Sequence, residues 1–199
     1  VDVGMQIIRD DATGIAIEIP TAVVTFSEIQ PPFAKFDGTS SLPTAQVLLI
    51  SQAGNAERMA GLFELMQVLD IVPQDGPREL RRGGFFIEGF DENIHSFTRV
   101  TFENNEIKGF TLVWPAGDER RRSRVLSQME KTFTRFDGTL DPSVVPARED
   151  QSVNMVAGLS VRQPQLSRSG FYVSRDGIVV TTPEAINGCQ RVTLDRTTN

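Results

Sequence analysis

One cysteine, one histidine, one tryptophan and one tyrosine occur among 199 residues. A single cysteine, Cys189, excludes an internal disulfide and any thiolate metal cluster. A single histidine, His95, removes most zinc and histidine-dependent chemistry. No apolar run approaches the roughly 20 residues that span a bilayer as a helix. Positive charge is short as well: 20 Lys and Arg against 26 Asp and Glu leave a net charge of −6. That balance argues against nucleic acid and anionic membranes as partners, because phosphates need clustered basic side chains. There is no Walker-type or dinucleotide glycine loop, no EF-hand and no CxxC, so no cofactor is expected. The opening "VDVGMQIIRDD" lacks the form of a signal peptide and reads as a chain that has lost one or begins after one.

Hydrophobic residues at 39% are enough for a real core. In "GIAIEIP", Ile15, Ile17 and Ile19 alternate as on a half-buried strand. "FAKFDG" (Phe33–Gly38) and "AQVLLISQ" (Ala45–Gln52) are further strands bounded by Pro, Gly or Ser. Met59, Leu62, Phe63, Met66 and Leu69 then form a helical stripe, with Asn55 as N-cap and Pro73 ending the run. Its methionines fit core packing better than a cofactor groove. "GFFIEGF" (Gly84–Phe90), "HSFTRVTFE" (His95–Glu103) and "EIKGFTLVWP" (Glu106–Pro115) read as a meander, with "ENNE" as its tight turn.

A second helix follows in "GDERRRSRVLSQMEKTFTRF", with Val125, Met129 and Phe133 on one face. Asp118 and Glu119 stand where the helix dipole favours acid. Arg120, Arg121, Arg122 and Arg124 are the candidate binding residues, for a phosphate or a partner, against the plainer reading of a solvated helix flank. "DGTLDPSVVPAREDQS" reads as a linker, and Val153–Gln165 is ambiguous. Short β-segments follow at Gly170–Ser174, Ile178–Thr182 and Arg191–Asp195. Acidic pairs such as Asp10–Asp11 and Asp91–Glu92 read as solvated turns, since they lack the spaced oxygen donors of a calcium loop.

The resulting fold class is α+β, an antiparallel sheet with packed helices, over residues 1–136. A linker over 137–165 and a β-segment over 166–199 complete the expected organisation. The wide hairpin ending "KGFTLVWP", the helix ending "MEKTFTRF" and the early "TGIAIEIP" together resemble the PsbP/Mog-like α/β/α sandwich across Gly14–Phe136. That resemblance implies a binding or assembly module with no catalytic residue.

The stretch "RSGFYVSRDGIVVTTPEAINGCQRVTLD" (Arg168–Asp195) resembles the first hairpin of the trypsin-like, HtrA-type bacterial peptidases, "GSGFFVS.DG.VLTNAHVV.GC..I.V". The match places Ser169–Ser174 on the first strand, Asp176–Gly177 at the turn, Ile178–Thr181 on the second strand and Gly188–Cys189 at the "GC" step. Glu184 then stands where the family carries its catalytic histidine, and Pro183 restricts φ just before it. A carboxylate is a weak base toward serine and cannot become the cation that the triad aspartate stabilises. The family's aspartate and its "GDSGGP" serine loop lie well downstream of this hairpin and have no counterpart here, so no peptidase activity is expected. His95 precedes the segment and reads as an ordinary surface or edge histidine at a strand start.

The resemblance further implies a bacterial periplasmic or secreted protein, in which an odd Cys189 would pair with a cysteine outside this chain; a small buried apolar role is the alternative. Three functions follow as expectations. The first is a non-catalytic module with a protein or peptide partner, joined to a degenerate peptidase domain. The second is the front of an active serine endopeptidase, and the third a stand-alone ligand-binding or assembly domain.

Overall fold

Ile15, Ile17 and Ile19 are buried on one face of strand β2 (Ile15–Pro20), which pairs antiparallel with β1 (Met5–Asp10) and sets Ile8 opposite Ile17. The computed structural model describes residues 3–144, 155–163, 166–189, 192 and 194, and divides into two units, Val1–Arg162 and Gln163–Asn199. Along the first unit follow β3 (Val24–Gln30), β4 (Phe33–Gly38), β5 (Gln46–Ala53), α1 (Ala56–Val68), β6 (Arg78–Arg81), β7 (Gly84–Phe90), β8 (Ile94–Glu103), β9 (Glu106–Pro115), α2 (Glu119–Thr132) and β10 (Thr134–Arg135). A seven-stranded antiparallel sheet takes the order β3-β4-β5-β9-β8-β7-β6, and a three-stranded sheet the order β1-β2-β10.

Side chains directly opposite one another on paired strands share a face. Val47 and Leu49 of β5 lie opposite Leu112 and Phe110 of β9. With Trp114 they form the core against β2 and against Val125 and Met129 of α2. The alternate residues Leu48 and Ile50 face the other way, packing with Phe85, Ile87 and Val100 on Met59, Leu62, Phe63 and Met66 of α1. Both faces are therefore covered at the sheet centre. That is why β5 and β9 are nearly continuous buried runs rather than alternating ones.

Local chemistry sets the boundaries. The Asn55 side chain accepts a hydrogen bond from the Arg58 amide at 2.9 Å and caps α1. Asn104 and Asn105 both adopt positive φ, 52° and 58°, giving the two-residue turn that joins β8 to β9. Asp118 precedes α2 but makes no capping bond with its side chain. Its carboxylate instead accepts from Trp114 Nε1 at 2.9 Å and from Arg121 Nε at 2.6 Å.

The first unit does not end at Phe136, and the expected linker needs correction. Leu140 is buried, and β11 (Met155–Val156) pairs with β12 (Leu159–Ser160). Leu159 joins the α1-side core and Val161 bridges to Leu69. Arg162 donates to the carbonyls of Gln67 and Leu69, which the end of α1 leaves without intrahelical partners, and to that of Val72 in the loop beyond. Apolar burial and helix-end capping thus carry the unit to Arg162; residues 145–154 and 164–165 of the expected linker lie outside the described residues.

In the second unit, β13 (Gly170–Tyr172) pairs with β14 (Val179–Thr181), and Gly177 turns at φ 88°. A single 3₁₀ turn covers Pro183–Ala185. Of the strand expected at Arg191–Asp195, residues 191, 193 and 195 lie outside the described residues, and Val192 and Leu194 carry no strand. Among the described residues no helix is long and apolar enough to cross a membrane.

Candidate functional site

Strand register places Glu88 of β7 opposite Phe97 of β8, and Phe86 opposite Arg99. On β6, Glu79 lies opposite Phe86. Glu79, Arg81, Phe86, Glu88, His95, Phe97 and Arg99 therefore share the face on which α2 lies.

Where α2 starts, this face carries a charged brace. His95 Nε2 lies 2.9 Å from Glu88 Oε1, and Nδ1 lies 3.2 Å from Glu119 Oε2. Arg122 donates to the same Glu88 oxygen at 2.9 Å and reaches Glu119 at 3.6 Å. The His95 side chain is only 16% exposed and stacks edge-on against Phe90. It is therefore not the ordinary surface histidine that its place at a strand start suggested. Both ring nitrogens are spent on carboxylates, and among the described residues no hydroxyl or thiol hydrogen-bonds the ring. A nucleophile paired with this base is thus not on view. Nor, among the described residues, do three His, Cys, Asp or Glu side chains converge as metal ligands would. The cluster ties the first turn of α2 to β7 and β8.

Beyond the brace the same face opens into a groove of about 570 Å³. Half-buried Phe86 and Phe97 line it, and Glu79, Arg81, Arg99 and Glu130 stand around them. Arg81 donates to both Glu79 oxygens, each at 2.7 Å. These hydrogen bonds hold the Glu79 carboxyl below its ordinary range and the Arg81 guanidinium above its own. Arg99 and Glu130 approach at 3.5 Å with side chains 47% and 38% exposed. Charged groups thus surround two aromatic rings on a part of this face beside α2.

The arginines singled out in the sequence do not form one patch. Successive residues of a helix are turned by about 100°, so four near-consecutive arginines spread around it. Arg122 is buried in the brace, Arg121 is engaged by Asp118, and Arg120 and Arg124 remain exposed. Glu184 is exposed within its 3₁₀ turn. Cys189 is half-buried, its thiol directed at the Ala185 carbonyl at 3.6 Å.

Sequence reasoning missed Glu88 and the groove rim, and placed Glu119 only as an acid favoured by the helix dipole. A charged residue inside "GFFIEGF", among three phenylalanines, was the available signal for Glu88.

No protein-family model matches the chain, and no curated protein matches it in sequence. Solved structures do resemble it. Cyanobacterial PsbP (CyanoP) from Synechocystis sp. PCC 6803 is similar over 66% of this chain and 92% of its own, at 12% identity and a TM-score of 0.46. The Saccharomyces cerevisiae Ran-binding protein Mog1p is similar over 70% of this chain and 97% of its own, at 9% identity and a TM-score of 0.43. A protein from Bacteroides thetaiotaomicron is similar over 66% of this chain and 48% of its own, at 11% identity and a TM-score of 0.42. The two namesakes of the PsbP/Mog-like group are thus among the structural neighbours, at levels that carry nothing about function to this chain.

Proposed function

We propose that the chain is a non-catalytic binding module, and that a protein or peptide partner docks in the groove between α2 and strands β6–β8. One observation carries this reading: half-buried Phe86 and Phe97 line an open hollow beside α2, with charged side chains around it. Aromatic side chains in a concave site ringed by polar groups are the usual anchors of recognition. A random heptapeptide library displayed on phage supplies the probe for a test. Titrating isotope-labelled protein with a selected peptide should move the amide signals of residues 83–86 and 97–100. Phe86 lies outside both core clusters, so Phe86→Ala should fold normally and weaken binding about 30-fold or more. Unchanged affinity in that variant, or shifts confined to another face, would overturn the reading.

A second proposal concerns the second unit, which we infer belongs to a degenerate trypsin-like peptidase domain of an exported protein. Phe171, Tyr172, Val173, Ile178 and Val180 on and beside the β13–β14 hairpin are between 50% and 72% exposed. Two strands with apolar side chains in water behave as part of a larger sheet, since an isolated hairpin is marginal at best. Glu184 in place of an imidazole base is the reason to expect no catalysis. Fluorescein-labelled casein incubated with the protein should therefore stay intact; hydrolysis that a serine-directed phosphonate abolishes would count against the proposal.

A further inference from the structure

The rim of the groove and the strand edge beside it point to the chemistry of the partner. This step rests on the groove being the docking site. The chain carries a net charge of −6, yet its β6–β7 corner, "RELRRGG", holds three arginines and one glutamate. Arg81 and Arg99 are matched by Glu79 and Glu130 in exposed pairs. Such pairs are worth little in water and yield readily to competing carboxylates. Arg82, at the hairpin turn, is exposed with no carboxylate partner among the described residues.

The backbone adds direction. β6 is the end strand of the seven-stranded sheet. The Glu88 amide bonds the Pro77 carbonyl at 2.9 Å and the Phe90 amide bonds the Asp75 carbonyl at 2.9 Å. Antiparallel pairing alternates, so Glu79 and Arg81 also face β7, and Leu80 turns its N–H and C=O outward, with no partner among the described residues. An end strand rich in arginine repels a second copy of itself, which is one way natural sheets guard an edge. An acidic strand meets no such barrier. At the opposite edge, β3 is broken by a register shift between Phe26 and Glu28, which leaves β6 the more regular template.

We propose that the partner is an acidic, extended polypeptide segment that runs along the β6 edge, turns an aromatic or aliphatic side chain towards Phe86 on the neighbouring strand, and places its carboxylates on Arg81 and Arg82. Backbone pairing supplies a sequence-independent part of the affinity and the alternating side chains supply the choice.

Three fluorescein-labelled probes share one pattern: Glu-Phe-Glu-Phe-Glu, Gln-Phe-Gln-Phe-Gln and Lys-Phe-Lys-Phe-Lys. Anisotropy titrations should rank them acidic, neutral, basic, with about tenfold between the extremes at low salt, narrowing as salt rises. In the R81Q/R82Q variant the ranking should flatten to within about twofold. Equal binding of acidic and neutral probes, both lost in Phe86→Ala, would overturn the acidic preference while upholding the groove. Binding of no probe, or binding indifferent to Phe86→Ala, would overturn the groove reading and this inference with it.

Discussion

Lys108→Ala is expected to lower folding stability by about 3–5 kcal/mol, among the largest effects of any single substitution in the first unit. The Lys108 side chain is 0% exposed. Its ammonium lies 2.9 Å from the Glu106 carboxylate and also donates to the carbonyls of Gly14, at 3.4 Å, and of Phe136. A buried charge so held joins three separate pieces of chain: the turn before β2, the body of β9 and the segment after β10. The Gly14 carbonyl would keep a donor, because the Phe136 amide bonds it at 2.9 Å. The Phe136 carbonyl would lose its lysine, and Glu106 would face an emptied site. Since Glu106 is 25% exposed, water relieves part of that loss, so the lower half of the range is favoured. Gly14 has φ +65° and a Cβ there would come within 2.4 Å of the Lys108 ammonium and 2.5 Å of two carbonyls. Glycine is thus the residue that lets this crossing close. Lys108→Met separates the terms: it restores volume without the hydrogen bonds and should cost about 2–3 kcal/mol. Urea melts should show a lower midpoint at unchanged slope for both variants. A Lys108→Ala midpoint equivalent to a loss under 1 kcal/mol would show that the crossing contributes little.

Lys108 also shows what the sequence disclosed and where it stopped. It is the one basic residue inside the apolar run "EIKGFTLVWP", and the run itself announced a strand. Nothing local says that the ammonium meets carbonyls 94 and 28 residues away. The same holds elsewhere. β2 and both helices were legible because each buries a face or stripe that leaves a period in the sequence, and β4, β5, β7, β8 and β9 because each is an apolar or aromatic run bounded by turn residues. β1, β3 and β6 left none. They are edge strands with mostly exposed or half-buried side chains, so register with a neighbour, rather than amphipathicity, makes them strands. "RELR" is recognised only once Arg82 and Gly83 fold it back on β7. The helical stripe Met59–Met66 resolved in favour of packing, since every member is buried against the sheet. Short β-segments at Gly170–Ser174 and Ile178–Thr182 were read from the sequence, while no local signal in Leu159 or Val161 betrayed a return to the α1 core.

The second large effect is expected at Arg122, the member of the arginine run that the helix turns inward. Arg122→Ala should destabilise the first unit by about 3 kcal/mol, near the lower end for breaking a buried ion pair because Glu88 keeps some access to water. The Arg122 side chain is 6% exposed and Glu88 is 30% exposed. Without the guanidinium, the Glu88 and Glu119 carboxylates converge on His95 alone, and two anions share one imidazole. Glu88→Ala should be costly for the reciprocal reason, leaving Arg122 with only the 3.6 Å approach to Glu119. The two losses should not add. In a double-mutant cycle, Arg122→Met with Glu88→Leu removes both charges and fills much of the space, so it should lie well above the sum of the single variants, with a coupling of about 1–3 kcal/mol. Additivity within about 0.5 kcal/mol would mean that the brace is incidental. The binding readout separates position from stability. Glu130, one wall of the groove, lies on the helix that the brace holds down. Arg122→Ala should therefore weaken the acidic probe severalfold at temperatures where the variant remains folded, although Arg122 does not line the groove. The stability-restored double variant should regain that affinity if helix placement is what counts, and should not if the charge of Arg122 itself attracts the peptide.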